Sequence, residues 1–366
     1  MKNIDYDKLM ENIVNNVNKY LNKLFDKYVV EAENISSVLT NIPLIARDFT
    51  LRGGKRLRAI LVYIGYWSVE WGVESMNVLK LASMIEFLQS YLLVHDDIMD
   101  RDEIRRGGPT VHVWFRNKCF DEKLAGDCYH YGLSQAITVG DYLESLAVNM
   151  FSELDLPVNV IKDLIKTYTH ALRTVSYGQF LDVLFSNKPL SEVSEEDVLL
   201  IHKLKTASYS VETPLHIGAI ASTKYTRELL NELTDYAIPA GIVFQLKDDI
   251  LGLFGDVSKT GKPIGSDVRE KKKTILIIHA YRNASRSDQL FLEQVFERKS
   301  SNEISLDDII RVQNIVRDTG SLDYVYKLME RESVKALKTL RESSYINDNA
   351  KKILEYLLEL FMKREK

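Results

Sequence analysis

The sequence predicts an all-α fold, one domain of roughly ten helices covering residues 1–366. Three observations carry that expectation. Apolar residues recur at three- and four-residue steps almost throughout, the spacing of a core-facing helical stripe. Only 17 glycines and 7 prolines occur in 366 residues, a composition that favours long uninterrupted helices. No strand-like alternation runs for more than a few residues, and there is no repeat or low-complexity linker.

In chain order, Ile13, Val17, Tyr20, Leu21, Leu24 and Tyr28 form the first stripe. Arg52-Gly53-Gly54-Lys55 then breaks the pattern. A second periodic segment runs from Leu79 to Ile98 and stops near Arg106-Gly107-Gly108-Pro109. A third covers Val158 to Leu184. The run AIPAGIVFQL leads into a further acidic stretch, followed by Thr260-Gly261-Lys262-Pro263. Ile353, Leu354, Leu357, Leu358 and Phe361 mark a last helix.

Composition excludes several classes. Hydrophobic residues make up 45% and charged residues 27% of the chain, with a formal net charge of −4, so there is no global basic footprint for nucleic acid. The N-terminal MKNIDYDKLMENIV lacks the apolar core of a signal peptide. No run of about 18 apolar residues suggests a membrane span, and a cytoplasmic location is expected. The two cysteines, Cys119 and Cys128, are read as free thiols of a reducing compartment.

The segment LVHDDIMDRDEIRRGGPTVH concentrates five acids, Asp96, Asp97, Asp100, Asp102 and Glu103, before Arg105 and Arg106. On one helix, Gln89, Asp96 and Asp100 fall seven and four residues apart and share a line, with Asp97 about a quarter turn away. Like charges at i,i+4 repel, and acids near a helix C-terminus oppose its dipole. A cation offsetting both penalties is the expectation. The acidic pair Asp307-Asp308 is the internal control: it follows Ser305 in SLDDII, where first-turn acids under a cap are stabilising and need no function.

A second cluster lies in FQLKDDILGLFGDVSKTGKPIGSDVREKKKT. Gln245, Asp248 and Asp249 share a helical face, Asp256 lies eight residues beyond Asp248, roughly 12 Å along a helix axis, and Lys262 and Lys271 to Lys273 follow. Carboxylates without neighbouring His or Cys suit Mg²⁺ or Mn²⁺, whose remaining positions go to water and phosphate oxygens. Arginines beside them suit bidentate phosphate binding. The pattern predicts two helices facing a cavity, with metal ions bridging a polyanion.

Taken together, GGKRLR (53–58), HDDIMDRDEIRRGGPTVH (95–112), GDY (140–142), GQFLD (178–182), KT (205–206), FQLKDDILGLFGD (244–256) and TGKPIGSD (260–267) resemble the motifs of trans-isoprenyl diphosphate synthases, in family order. The archaeal-type geranylgeranyl diphosphate synthases are the nearest branch. The resemblance implies an isoprenoid synthase fold of ten or more helices around a central apolar cavity, usually a homodimer. It also implies Mg²⁺-dependent condensation of isopentenyl diphosphate with an allylic diphosphate.

By the same resemblance, Asp96, Asp97 and Asp100 match the first Asp-rich motif and Asp248 and Asp249 the second, with Asp96, Asp100 and Asp248 as metal ligands. Lys55, Arg58, Gln89 and Arg106 match the isopentenyl diphosphate contacts. Arg105, Lys205, Thr206, Gln245, Lys262 and Lys272 match those of the allylic substrate, and Arg105 and Lys205 join the Asp residues as the catalytic set. Tyr91 stands where an aromatic limits chain length and Leu92 is not aromatic, a combination that resembles C20 synthases. Three departures stand out. Gly252 occupies the place of a third Asp, Gln89 replaces a frequent His, and position 271, often Gly, is Lys, which leaves the register of Lys271 and Lys272 open. His95 reads as a packing residue.

Overall fold

A computed structural model describes residues 5–255 and 265–363. Asp256 and Lys262 lie outside the described residues. Apart from one two-stranded hairpin, the regular structure of these residues is helical, as the sequence predicts. They fall into two compact units, Met1–Ile165 with Ile217–Lys224, and Lys166–His216 with Tyr225–Lys366.

In the first unit, α1 (Tyr6–Ile35) starts under Asp5, whose side chain accepts from the Lys8 N–H. It buries Ile13, Val17, Leu21, Leu24, Phe25 and Tyr28, the sequence stripe with Phe25 in place of Tyr20. Helices α2 (Asn41–Leu51) and α3 (Leu57–Trp67) flank the Gly53-Gly54 break, where both glycines adopt positive φ. Helix α4 (Met76–Asp100) buries thirteen residues, including Leu81, Met84, Phe87 and Leu88, and is buried on every side over residues 81–90. A helix buried on all sides is a central one, and α1, α3 and α6 (Cys128–Asn149) pack on it. Phe25 meets Phe87 edge to face at 5.5 Å.

Helix α5 (Val111–Asp121) precedes α6. Between them Lys123 takes a left-handed φ of 53°, and Asp127 caps α6 by accepting from Tyr129 and His130 N–H groups. That tight reversal sets Cys119 and Cys128 5.5 Å apart at Cα, and they form a disulfide. The free-thiol expectation is therefore corrected: a nine-residue spacing does not show that two helix ends meet, whereas the turn makes them meet. With it goes the thiol argument for a reducing compartment. Among the described residues no helix is long and apolar enough to cross a membrane.

In the second unit, α8 (Glu195–Ile201) starts with a reciprocal Ser194–Asp197 capping box and continues into a π-helical segment, His202–Glu212. This segment packs on α10 (Arg227–Phe254). A Cβ at Gly241 of α10 would overlap Ala207, so only glycine permits that close approach. The helix Ser321–Glu342 covers another side of α10, and Tyr236 donates to the Leu354 carbonyl at 2.8 Å. Helices α7 (Val158–Ser186) and α9 (Thr213–Ala221) contribute residues to both units.

Candidate active site

The end of α4 places Asp96 and Asp100 partly exposed and Asp97 fully buried. Arg101 closes the helix in a left-handed conformation, φ 59°. The chain then forms an antiparallel hairpin, β1 (Ile104–Arg105) with β2 (Gly108–Pro109), whose register pairs Ile104 with Pro109 and Arg105 with Gly108. Its two-residue turn, Arg106-Gly107, has φ of 52° and 74°. Positive φ at both positions is the mirror-image hairpin turn, normally filled by Asn-Gly. A side-chain-bearing Arg in that conformation is a strained choice, and such outliers cluster at functional sites.

The hairpin sends its two arginines to different partners. The Arg105 Nε–H donates to Asp97 Oδ1, and its Nη2 lies 3.1 Å from Asp102 and 3.8 Å from Asp96. The second oxygen of Asp97 is buried with no hydrogen-bond partner among the described residues. Burial pushes the Asp97 carboxyl up to about 7, against the downward pull of Arg105.

Arg106 instead lies over the Gly53-Gly54 loop, where a Cβ at Gly54 would stand 3.1 Å from its Cζ. Burial, with Arg56, Arg105 and Arg58 nearby, holds its guanidinium down to about 10 despite Glu86. Of these, Arg56 is fully committed. Its side chain is 1% exposed, pairs with Glu86 at 2.9 Å, and donates to Asn18 and to the Thr50 carbonyl. Arg56 therefore anchors the start of α3. Lys55 is exposed just before it, Arg58 sits in the first turn of α3, and Gln89 is buried on α4.

Sequence reasoning missed Arg52. Its guanidinium donates to the Arg105 and Pro109 carbonyls and pairs with Asp48 at 2.7 Å. A Cβ at Gly108 would collide with it, so Gly108 is required for this brace. The pairing of RGG with RRGG was the available signal. The GDY motif also gains a reason: a Cβ at Gly140 would overlap the His95 ring. His95 thus packs on α6, with Tyr91 edge-on at 4.9 Å. Tyr91 and Leu92 are both partly buried.

In the second unit, Gln245, Asp248 and Asp249 occupy the C-terminal part of α10. Asp249 is buried, and its Oδ1 accepts from Gln245 Nε2 at 2.8 Å. The Gln245 Oε1 in turn accepts from Thr206 Oγ1 at 2.7 Å. Asp248 is only partly buried. Lys205 pairs with Asp182 of the GQFLD motif at 2.5 Å, and a Cβ at Gly178 would clash with the Lys205 backbone. At Gly252, where a third Asp would stand, a Cβ would overlap the Asp267 carboxylate. A carboxylate thus sits against that position, supplied from another segment.

The three lysines of the basic run sit in different surroundings. Lys271 has a left-handed φ of 58°, the conformation glycine prefers. Lys273 is buried and donates to the Phe185, Ser186 and Lys188 carbonyls, neutralising the negative end of α7. Lys272, paired with Glu270 at 2.6 Å, remains partly exposed. The control pair behaves as expected: Ser305 and Asp308 form a reciprocal capping box, and Asp308 pairs with Lys299.

Among the described residues, no three or more His, Cys, Asp or Glu side chains converge as a ready metal cage. The donor set nevertheless fits Mg²⁺. The hard carboxylate oxygens of Asp96, Asp100 and Asp248 stay partly exposed, and Mg²⁺ needs only one or two carboxylates.

An all-helical protein with two acidic helix turns, each beside fixed basic residues, defines the class of metal-assisted diphosphate chemistry. Residues 41–312 match the polyprenyl synthetase family, and the chain belongs to it. It is thus a trans-prenyltransferase. The geranylgeranyl diphosphate synthase of Saccharolobus solfataricus is 33% identical across 100% of both chains. The geranylfarnesyl diphosphate synthase of Aeropyrum pernix is 32% identical over 86% of this chain and 91% of its own. A crystal structure of geranylgeranyl pyrophosphate synthase from Corynebacterium glutamicum, complexed with isoprenyl diphosphate and magnesium, has a TM-score of 0.88 at 28% identity, covering 99% and 100% of the two chains.

Proposed function

We propose that this prenyltransferase condenses isopentenyl diphosphate with dimethylallyl, geranyl and farnesyl diphosphates to give geranylgeranyl diphosphate, acting as a single functional domain. The observation that carries the reading is Arg106. Its backbone is strained, its side chain is half-buried, and desolvation first, then three neighbouring arginines, push its guanidinium down, a cationic surplus that an anion would relieve. It stands next in sequence to Arg105, which is held by the acidic turn.

In this reading Lys55, Arg58, Gln89 and Arg106 hold isopentenyl diphosphate with its double bond free to attack. Arg105, Lys205, Thr206, Gln245, Lys262 and Lys272 hold the allylic diphosphate. Asp96, Asp100 and Asp248 would hold Mg²⁺, with Mn²⁺ as a substitute. When bound, such ions act as Lewis acids on the departing diphosphate oxygens. Arg105 and Lys205 are ion-paired with Asp97 and Asp182; both would share their charge with the diphosphate as negative charge grows on it. Fixed cations in a partly dry site act more strongly than in water. The allylic C–O bond breaks, the alkene of isopentenyl diphosphate attacks the cation, and a proton leaves. The released diphosphate is the base, so no side chain is assigned that role.

The C20 product rests on Tyr91, since similar relatives carry names for C20 and C25 products. The enzyme is also proposed to be a homodimer. The α6 face carrying Tyr129, Leu133 and Ile137 at four-residue steps is exposed and would suit a second copy. The deciding experiment supplies labelled isopentenyl diphosphate with each of the C5, C10 and C15 primers and sizes the dephosphorylated alcohols. A C20 limit from all three supports the reading; no elongation of any primer refutes it. Tyr91→Ala should shift the alcohols to longer chains, and an unchanged distribution removes Tyr91 as the floor.

A further inference from the structure

One buried group near the second acidic turn has no part in the chemistry above. His202 is 4% exposed and opens the π-helical segment that also carries Lys205 and Thr206. Its Nε2 lies 3.1 Å from Asp249 Oδ2, an ion-pair distance without good hydrogen-bond geometry. Its Nδ1 is buried with no hydrogen-bond partner among the described residues. Gln245 holds the other oxygen of Asp249, and Thr206 holds Gln245. One oxygen of Asp249 is thereby hydrogen-bonded from α10 itself, and the other is faced by the His202 ring of the π-helical segment.

We propose that His202 is a positioning residue: with Gln245 and Thr206 it clamps Asp249, fixing the acidic turn of α10 to the segment bearing Lys205, so that the neighbouring Asp248 is presented to a divalent ion. The inference rests on the prenyltransferase reading and gives the two acids of the second pair separate tasks. Asp249 is the anchor, Asp248 the ligand. A buried imidazole with an unpaired nitrogen costs stability unless something is gained from it. Two-sided fixation of a carboxylate next to a metal ligand is such a gain. Groups behind the ligands typically alter metal affinity or activity about 10- to 100-fold when removed. A π-helical stretch over eleven residues is itself rare and associated with functional sites; here it brings His202 onto Asp249 and Thr206 onto Gln245, which holds the same carboxylate.

The test uses the full-length protein with Mn²⁺ and inorganic pyrophosphate as probes, read by electron paramagnetic resonance, beside steady-state kinetics. His202→Ala should weaken pyrophosphate-dependent Mn²⁺ binding by about tenfold or more and raise the Mg²⁺ concentration for half-maximal rate in parallel. The KM for isopentenyl diphosphate, whose contacts lie in the first unit, should stay within about twofold. His202→Asn, which keeps a side-chain N–H donor, should recover part of the Mn²⁺ affinity. Unchanged Mn²⁺ binding in a folded His202→Ala protein overturns the proposal. So does a loss shared equally by both substrates, or an Asn variant no better than Ala. If Ala does not fold, the Asn variant and His202→Gln decide by the same Mn²⁺ titration. A wild-type protein that binds Mn²⁺ with pyrophosphate but condenses no primer would refute the reading beneath, and the Mn²⁺ comparison would still judge His202.

Discussion

The two acidic turns of this protein are spelled almost alike, HDDIMD at the end of α4 and KDDILG near the end of α10, yet they are built on different chemistry. In each pair the second acid turns inward. Asp97 is 0% and Asp249 5% exposed, while Asp96 and Asp248 stay partly exposed. What holds the inward acid differs. Asp97 is caught by a cation, Arg105, on a strained hairpin; Asp249 is caught by the neutral amide of Gln245 and the ring of His202. One identical dipeptide thus serves as anchor plus outward acid in both units, and the anchor is held by an arginine in one and by a glutamine amide beside a histidine ring in the other.

The largest expected effect tests whether the outward acids share one task. Asp96→Ala and Asp248→Ala should each lower kcat by about 10³-fold or more, since Lewis-acid stabilisation is worth several kcal/mol. The double variant should fall little further, as groups acting as a unit are non-additive. Folding is checked by circular dichroism. Multiplicative losses, or near-normal turnover in either single variant, would separate the two turns.

Next come the anchors. Arg105→Ala leaves the Asp97 carboxyl buried and uncompensated, and breaking a buried pair costs about 3–5 kcal/mol. His202→Ala removes a weaker partner and should cost about 1–3 kcal/mol. Urea unfolding of both variants gives the ratio; equal costs would erase the contrast between the arginine-paired and the histidine-paired anchor.

Gly252→Asp sharpens the comparison by giving the second turn the spacing of the first. Because a Cβ at Gly252 overlaps the Asp267 carboxylate, the change should destabilise by about 1–3 kcal/mol and raise the Mg²⁺ requirement. A gain in metal affinity would show that Asp267 yields freely.

The smallest effect lies in the basic run. Lys271→Gly relieves a left-handed φ and should stabilise by about 0.5–1 kcal/mol with unchanged KM values. Lys273→Ala should destabilise instead, because it uncaps α7. Thermal melts of the two variants check both signs.

Much of this was legible in the sequence. Helical periodicity marked α1, α4, α7 and the last helix, Asp348–Lys363, because burial of one face follows from spacing alone. The control pair Asp307-Asp308 was legible for the same reason, its cap being local. The Cys119–Cys128 disulfide was not, since it depends on how one turn closes. Nor was Arg52, whose partners lie 53 and 57 residues away.

By itself, then, the sequence determined the all-α class, the two acidic turns and the family, because these depend on residue type at fixed local spacing. Only the tertiary structure decided that Arg105 binds Asp97 while Arg106 lies over Gly54, that Asp97 and Asp249 face inward, and that Lys273 caps a helix. Those outcomes depend on which side of a turn or helix another element covers, and a side chain's environment is set by neighbours that are distant along the chain.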